Sequence, residues 1–361
     1  MKIAIVHEWW TKFGGSENVT MEIAKLFPSA DIWVLYKELG FEDNFTRAEN
    51  FRESWLNHVP GHQNKKLSVA LSPLAYRSLL FKKYDLVISS SHNFAHTVKF
   101  PRSKNTRYFS YVHSPSRTIW LPEIDSRSKI VNQSATRHLL KGIDTSLGSH
   151  VNHLAVNSNE VRNRVSEFWR RDSLVIHPPV DVSFQDFKLE QGSVIQKNSF
   201  LLSAGRFVPY KNHDFAIRLA AKLNLEIKVM GGGEDEQRLR NLASDLKADV
   251  EFIINPNREK WLETLAMARF LIFPAHEDFG ITPIEAMMLG TPVLALAKGG
   301  ALDYIIDGVN GRFYYGDESS EVLGEFLNET FDEKKIKESV EKFKPIEFRT
   351  KFVNWISDSS N

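Results

Sequence analysis

Short apolar runs alternate with longer amphipathic segments along this chain, a pattern that predicts βα units and a mostly parallel sheet. In the first half, residues 2–6, 30–35, 84–89, 106–112 and 153–157 read as strands, while 16–26 and 65–80 carry helical spacing. A second series begins after residue 195, with strands expected at 199–204, 226–230, 250–254, 270–273 and 292–297. Its helices are expected at 212–223, 234–246, 260–267 and 283–289. Between the two series lie Ile176-His-Pro-Pro-Val-Asp-Val and the polar stretch 191–198, which puts a domain boundary near residues 182–197. The pattern therefore predicts an α/β protein of two doubly wound, parallel-sheet halves, residues 1–182 and 190–344.

Composition narrows the class without naming it. A length of 361 residues allows two domains, and 42% hydrophobic with 25% charged residues excludes wholesale disorder. With 46 Lys+Arg against 45 Asp+Glu the net charge is +1, so no global attraction to nucleic acid or acidic membranes is expected. The chain has no cysteine, which removes disulfides, thiolate metal sites and thiol nucleophiles and suits a reducing compartment. The opening apolar run Met1-Lys-Ile-Ala-Ile-Val meets a charge too soon for a signal peptide. No stretch reaches the roughly 18 apolar residues of a membrane span, so a soluble or peripheral protein is expected. Aromatic residues make up 12%, to be spent in cores or in an aromatic cleft rim or membrane-facing surface.

The chemistry concentrates in His276-Glu-Asp-Phe-Gly-Ile-Thr-Pro-Ile-Glu-Ala-Met-Met-Leu-Gly-Thr-Pro. Thr282 reads as an N-cap, Pro283 as the first helical residue and Glu285, at the third helical position, as completing a capping box, with Gly290 at the C-terminal cap. Amides around Gly280–Thr282 would then leave a helix N-terminus at the carboxyl end of a strand, where open α/β sheets bind anions and nucleotides. Glu277, just before them, would repel a phosphate but suits a sugar hydroxyl, which donates a charge-assisted hydrogen bond. In Ser203-Ala-Gly-Arg-Phe-Val-Pro-Tyr-Lys-Asn-His-Asp, Arg206 and Lys211 follow another strand end and form a plausible diphosphate clamp, or simply solvated surface. Gly14-Gly15-Ser16-Glu17 follows the first strand and opens a helix, although it matches no full phosphate-loop pattern.

Taken in order, these stretches resemble family 4 retaining glycosyltransferases of the GT-B fold, two Rossmann-like domains facing across a cleft. The resemblance spans nearly the whole chain. It also rests on Tyr111-Val-His-Ser-Pro, Asn157-Ser158, Met230-Gly-Gly-Gly-Glu, Gly299-Gly300, Asp307-Gly-Val-Asn-Gly and the Glu277/Glu285 pair of an E-x7-E signature. It implies that Arg206 and Lys211 hold the donor diphosphate and that Glu277 binds sugar hydroxyls. It also implies that Phe279, Gly280 and Ile281 line the sugar, with Thr282 beside them, that Glu285 binds ribose hydroxyls and that Gly14 and Gly15 face the diphosphate. His113 matches the histidine near donor sugar and acceptor. Glu285 cannot fully cap its helix and fully bind ribose at once.

The implied reaction loses a nucleoside diphosphate, so positive groups at the phosphate are the largest expected catalytic contribution. No D-x-D pattern occurs, the histidines form no spaced metal cluster, and no metal or other cofactor is expected beyond the nucleotide-diphosphate sugar itself. The acceptor is expected to be a saccharide or lipid-linked saccharide, with mannose from GDP-mannose favoured by Tyr111-Val-His-Ser-Pro-Ser-Arg-Thr-Ile-Trp. Lys65, Lys66, Arg77, Lys82 and Lys83 flank an apolar segment that reads either as a solvated helix or as a contact for anionic membrane. Arg117, with 102–107, could meet an acceptor phosphate. The resemblance further implies a final helix, about 345–361, packed back on the first domain. A cytoplasmic protein, free or peripheral to the inner membrane face, is expected, with no nucleic-acid partner. A sugar-nucleotide epimerase or a silent sugar-nucleotide-binding protein are the alternatives.

Overall fold

The computed structural model describes residues 1–11, 14–37, 50–62, 65–79, 83–98, 106–122, 134–149, 151–182, 200–316 and 318–358. They divide into two units, Met1–Pro179 with Pro345–Asn361, and Val180–Lys344. The division falls at the end of the Pro178-Pro179 pair; most of the expected 182–197 boundary lies outside the described residues.

In the first unit the order is β1 (Ile3–Val6), β2 (Trp9–Trp10), α1 (Gly15–Leu26), β3 (Asp31–Val34), β4 (Tyr36–Lys37), β5 (Phe51–Glu53) and α2 (Lys65–Arg77). It continues with β6 (Leu86–Ser91), β7 (Arg107–Val112), α3 (Arg117–Trp120), α4 (Ser134–Gly148), β8 (His153–Val156), α5 (Asn159–Trp169) and β9 (Leu174–Val175). Seven parallel strands form one sheet in the order β5-β3-β1-β6-β7-β8-β9. Parallel strands covered on both faces need no alternation, and β1 and β6 are buried at every position. The short edge strands β5 and β9 leave no such run, which is why the pattern does not predict them.

The second unit runs β10 (Leu201–Arg206), α6 (His213–Leu223), β11 (Ile227–Gly232), α7 (Glu236–Asp245), β12 (Val250–Ile254), α8 (Arg258–Met267) and β13 (Phe270–Phe273). Then come α9 (Ile281–Met288), β14 (Val293–Leu296), β15 (Gly311–Tyr314), α10 (Ser320–Asn328) and α11 (Glu333–Ser339). Its six strands are parallel in the order β12-β11-β10-β13-β14-β15. Each sheet thus reverses its strand order once, at β1/β6 and at β10/β13, and doubly wound sheets bind ligands outside the carboxyl ends at that point.

Helix α12 (Pro345–Asp358) joins the first unit. Phe348, Phe352, Trp355 and Ile356 bury among Ile5, Ile32, Phe109 and Tyr111, with Trp355 edge-on to Phe109 at 5.0 Å. Arg349 donates to Glu22 at 2.9 Å, and Arg107 donates to the Ile356 carbonyl at 3.4 Å. Arg107 begins β7 and His113 follows its end, so the strand separates the two and Arg107 is no partner for a group bound near His113. The aromatic residues go largely to cores: Trp10, Trp169, Tyr76, Tyr111, Phe94 and Phe207 are among the largest fully buried side chains.

Helix α2 buries Val69, Ala75 and Tyr76 while Leu74 is 61% exposed, and Arg77 and Lys83 are exposed. Lys65 and Lys66 lie in its first turn, Lys82 lies outside the described residues, and Arg117 opens α3 half-buried. No helix of the described residues is long and apolar enough to cross a membrane.

The C-terminal helix is held by apolar packing, so Phe352→Ala, at a fully buried position, should cost the first unit about 3–5 kcal/mol in urea unfolding. A loss below about 1 kcal/mol would show that α12 is not part of that core.

Candidate active site

At the β10/β13 reversal, β10 ends at Arg206 and a single tight turn, Pro209–Lys211, leads through Asn212, in the left-handed region at φ 56°, into α6. That turn points Lys211 back over the strand end. Its methylenes lie along Gly205, and its ammonium, 10% exposed, ion-pairs with Glu277. Arg206 stays exposed and donates to the Tyr210 hydroxyl at 2.6 Å. Behind them, His213 bonds the Ser203 hydroxyl at 2.8 Å and the Arg206 carbonyl at 3.2 Å. Burial holds its imidazole down at about 4, so it is a neutral brace for the strand end.

Glu277 sits in the loop between β13 and α9, and two glycines hold that loop in place. The Glu277 carbonyl accepts from the Gly300 amide at 2.9 Å. A Cβ on Gly299, at φ 67°, would come within 2.3 Å of the same oxygen, and one on Gly300 within 2.3 Å of the Phe279 backbone. Gly280, at φ 90°, then opens α9, and its own Cβ would strike Tyr304 and Phe273. The Phe279 ring is buried against Tyr304 and Phe343, which leaves its backbone to face the loop. Ile281 and Thr282 are half-buried in the first turn.

The expected capping box does not form. Helix α9 begins at Ile281, one residue before the expected Thr282 cap, and no side chain caps it. The Glu285 carboxylate turns away from the backbone, accepting from Arg258 at 2.6 Å and from the Trp261 indole at 2.9 Å. Arg258 in turn donates to the Asp181 carbonyl at 3.0 Å. The physical reason is register: with Gly280 at the N-cap, Glu285 falls at the fifth helical position instead of the third, out of capping-box reach, and its carboxylate pairs with the guanidinium. The first amides of α9 are thus left without a capping side chain and carry the helix's positive end. Arg258 and Trp261 carry no local motif, and only the fold reveals them.

In the first unit the β1/β6 reversal collects a polar cluster that sequence reasoning missed apart from His113. Glu8, fully buried, accepts through Oε1 from the amides of His92, Asn93 and Ala95 at 3.1, 2.8 and 3.0 Å, and from Ser91 at 3.3 Å. It therefore fixes the loop after β6. Burial would raise its carboxyl, but the charges of His92 and His7 and those amides outweigh this and lower it. His7 lies 3.6 Å from Glu17. Burial opposes its charge, yet Glu17 and Glu8 raise its pKa, while Glu17 is held down at about 2, mainly by His7 against its own burial. His7, Glu8 and His92 are close enough together to hold a metal ion, although each is already engaged within the cluster. Gly14 precedes α1 and Gly15 opens it, and a Cβ at Gly14 would crowd the Glu17 carboxylate at 2.9 Å.

His113 follows β7. Its amide donates to the Ser91 carbonyl at 2.7 Å, its carbonyl accepts from Asn157 at 3.0 Å, and its ring bonds Ser90 at 2.8 Å. The Asn157-Ser158 motif thereby gains a role, since Asn157 fixes the His113 backbone and Ser158 caps α5. Burial first, and then the charges of His92 and His7, hold the His113 imidazole down at about 3, hence neutral.

Comparison with known proteins follows the same division. Residues 185–345, nearly the whole second unit, match the family model described as glycosyl transferases group 1. A GDP-Man:Man(3)GlcNAc(2)-PP-Dol alpha-1,2-mannosyltransferase of Xenopus tropicalis is 31% identical over 44% of this chain and 37% of its own length. The Homo sapiens protein of that name is 29% identical over 58% of this chain and 49% of its own. This chain therefore spans about half or less of these relatives. Among solved structures, Anabaena HepE in complex with UDP aligns over 99% of this chain and 100% of its own, with TM-score 0.70 and 17% identity. The lipopolysaccharide outer core galactosyltransferase WaaB aligns over 99% of both, with TM-score 0.69 and 16% identity.

A carboxylate with a lowered folded pKa contributes stability that is full above its ordinary value and is lost as pH falls through the folded one. Glu17 has an ordinary value of 4.5 and a folded value of about 2. Wild type should therefore lose more stability than Glu17→Gln between about pH 4.5 and pH 2.5 in urea titrations. Equal losses would mean that Glu17 carries no such charge in the fold. With the group 1 match over the second unit and two-domain neighbours over the whole chain, the protein is similar to glycosyl transferases group 1 in that unit and has the two-domain α/β GT-B fold.

Proposed function

We propose that this chain is a retaining, metal-independent glycosyltransferase that moves mannose from GDP-mannose to a saccharide or lipid-linked saccharide acceptor. The observation that carries the reading is the Lys211–Glu277 pair beside the uncapped start of α9, at the strand-order reversal of the second unit. A buried ammonium, an exposed guanidinium on the same strand end and open helix amides suit a diphosphate. The adjoining carboxylate suits a sugar hydroxyl. That combination fits a nucleotide sugar better than it fits either half alone. The relatives named for GDP-mannose support the donor and the lipid-linked acceptor.

As the glycosidic bond to the diphosphate lengthens, charge accumulates on the leaving phosphate and the anomeric carbon becomes oxocarbenium-like. Lys211, Arg206 and the α9 amides stabilise the phosphate, and Lys211 exchanges part of its bond to Glu277 for one to the ligand. Glu277 orients the sugar, and Glu285 retains lone pairs for ribose beyond those used by Arg258 and Trp261. The acceptor proton leaves with the phosphate oxygen, in keeping with the family resemblance, so no enzymatic nucleophile is assigned. The absence of a D-x-D pattern supports metal independence. The exposed Leu74 beside Arg77 on α2 supports contact with anionic membrane, at the cytoplasmic face.

Lys211→Ala should lower the turnover of GDP-mannose by about 10²–10³-fold with the fold retained, as for loss of one transition-state donor. In a thermal-shift panel of nucleotide sugars, GDP-mannose should raise the Tm of wild type most, because ligand binding stabilises by mass action. Full activity in Lys211→Ala would remove the clamp. Conversion of donor to an altered sugar without acceptor would make this an epimerase.

A further inference from the structure

A continuous line of buried polar atoms joins His7 to His113. His7 Nδ1 lies 3.0 Å from the Ser90 carbonyl and 3.2 Å from Thr20 Oγ1. Thr20 Oγ1 lies 2.8 Å from Ser90 Oγ, which lies 2.8 Å from His113 Nε2. Thr20 and Ser90 are fully buried, so water does not compete for these bonds.

Proton positions along such a line are set by its ends. The Ser90 carbonyl can only accept, so His7 carries a proton on Nδ1, and Glu17 beside Nε2 favours a second one there. A donor at 3.2 Å turns a lone pair of Thr20 toward His7 and its hydroxyl proton away, onto Ser90. Thr20 Oγ1 also lies 2.9 Å from the Ser16 carbonyl, which can only accept, so the Thr20 proton is shared between that carbonyl and Ser90 Oγ, the nearer of the two at 2.8 Å. With one lone pair occupied by Thr20, Ser90 sends its own proton to His113 Nε2. His113 must then hold its proton on Nδ1.

We infer that Thr20 and Ser90 are positioning residues that lock His113 as a neutral imidazole with Nδ1–H, oriented by the His7–Glu17 pair. The functional consequence rests on the glycosyltransferase reading. A neutral N–H donor, braced by Asn157 and Ser91 at the backbone, suits a hydroxyl or ring oxygen of a sugar. A diphosphate would be better served by an imidazolium. Burial, together with the charges of His92 and His7, outweighs the opposing carboxylates of Glu8 and Glu17 facing the His113 ring and leaves it uncharged over the working pH range.

The test is side-chain ¹⁵N NMR on the histidine-labelled full chain without ligand, with His113 assigned by its loss in His113→Gln. The expected spectrum shows Nδ1 protonated and Nε2 as acceptor, unchanged between about pH 8 and pH 5. An Nε2–H tautomer, or an imidazolium in that range, overturns the inference. Ser90→Ala should release the lock, letting the Nε2–H form appear, and lower kcat/KM about tenfold, as for loss of one buried hydrogen bond. An unchanged tautomer in a folded Ser90→Ala variant also overturns it. Should that variant fail to fold, the wild-type spectrum still decides. The spectrum needs no substrate, so a correct tautomer in a chain that transfers no sugar would refute the functional reading and leave the lock standing.

Discussion

Parallel pairing is the constraint on which both sites depend. In a parallel sheet every carboxyl end lies at the same edge, and the reversal of strand order leaves two neighbouring strand ends with crossovers departing in opposite directions. In the second unit this brings the end of β10, with Arg206 and Lys211, beside the end of β13, with Glu277. In the first it brings His7 and Glu8, after β1, beside Ser90–Asn93, at and after β6. Residues far apart in sequence become partners because the sheet register allows no other arrangement.

Burying charge at those edges is costly unless each group is paired, and the chain solves this internally. Lys211 has Glu277, His7 has Glu17, and Glu8 has a fan of backbone amides. Such pairs preorganise a site, since a ligand meets groups already oriented. They also set a requirement, because any ligand must repay the bond it loosens. Under the proposed function, a nucleotide sugar would do so at the Lys211–Glu277 pair by offering an anion to one partner and hydroxyl donors to the other. The same economy explains the glycines at 299 and 300, where only a missing side chain lets one loop lie against another.

The long buried strands and amphipathic helices were legible because their periodicity is local: the strands at 250–254 and 270–273 and the helix beginning near Ser16 match expectation closely. Short edge strands and the polar helix α5 were not, since their signal lies in pairing and in one capping serine. That Arg206, Lys211 and Glu277 stand at or just after strand ends was legible in the pattern, while the roles proposed for them come from the family resemblance. Their partners were not. Nothing near Glu285 announces that Arg258 and Trp261 hold it, and its spacing from Thr282 suggested a cap that the earlier helix start at Ile281 removes. Glu8 reads in sequence as a charge ending an apolar run. Only the fold shows three amides converging on it.

That these paired sheet edges serve retaining sugar transfer is a claim about a product, and product configuration tests it most directly. The protein should be incubated with GDP-mannose and a lipid-linked saccharide acceptor, and any new linkage read by proton–carbon NMR. Transfer with retention gives an α-mannoside, in the configuration of the donor. A β-linked product would contradict the assignment, as would free mannose released while the acceptor stays unchanged.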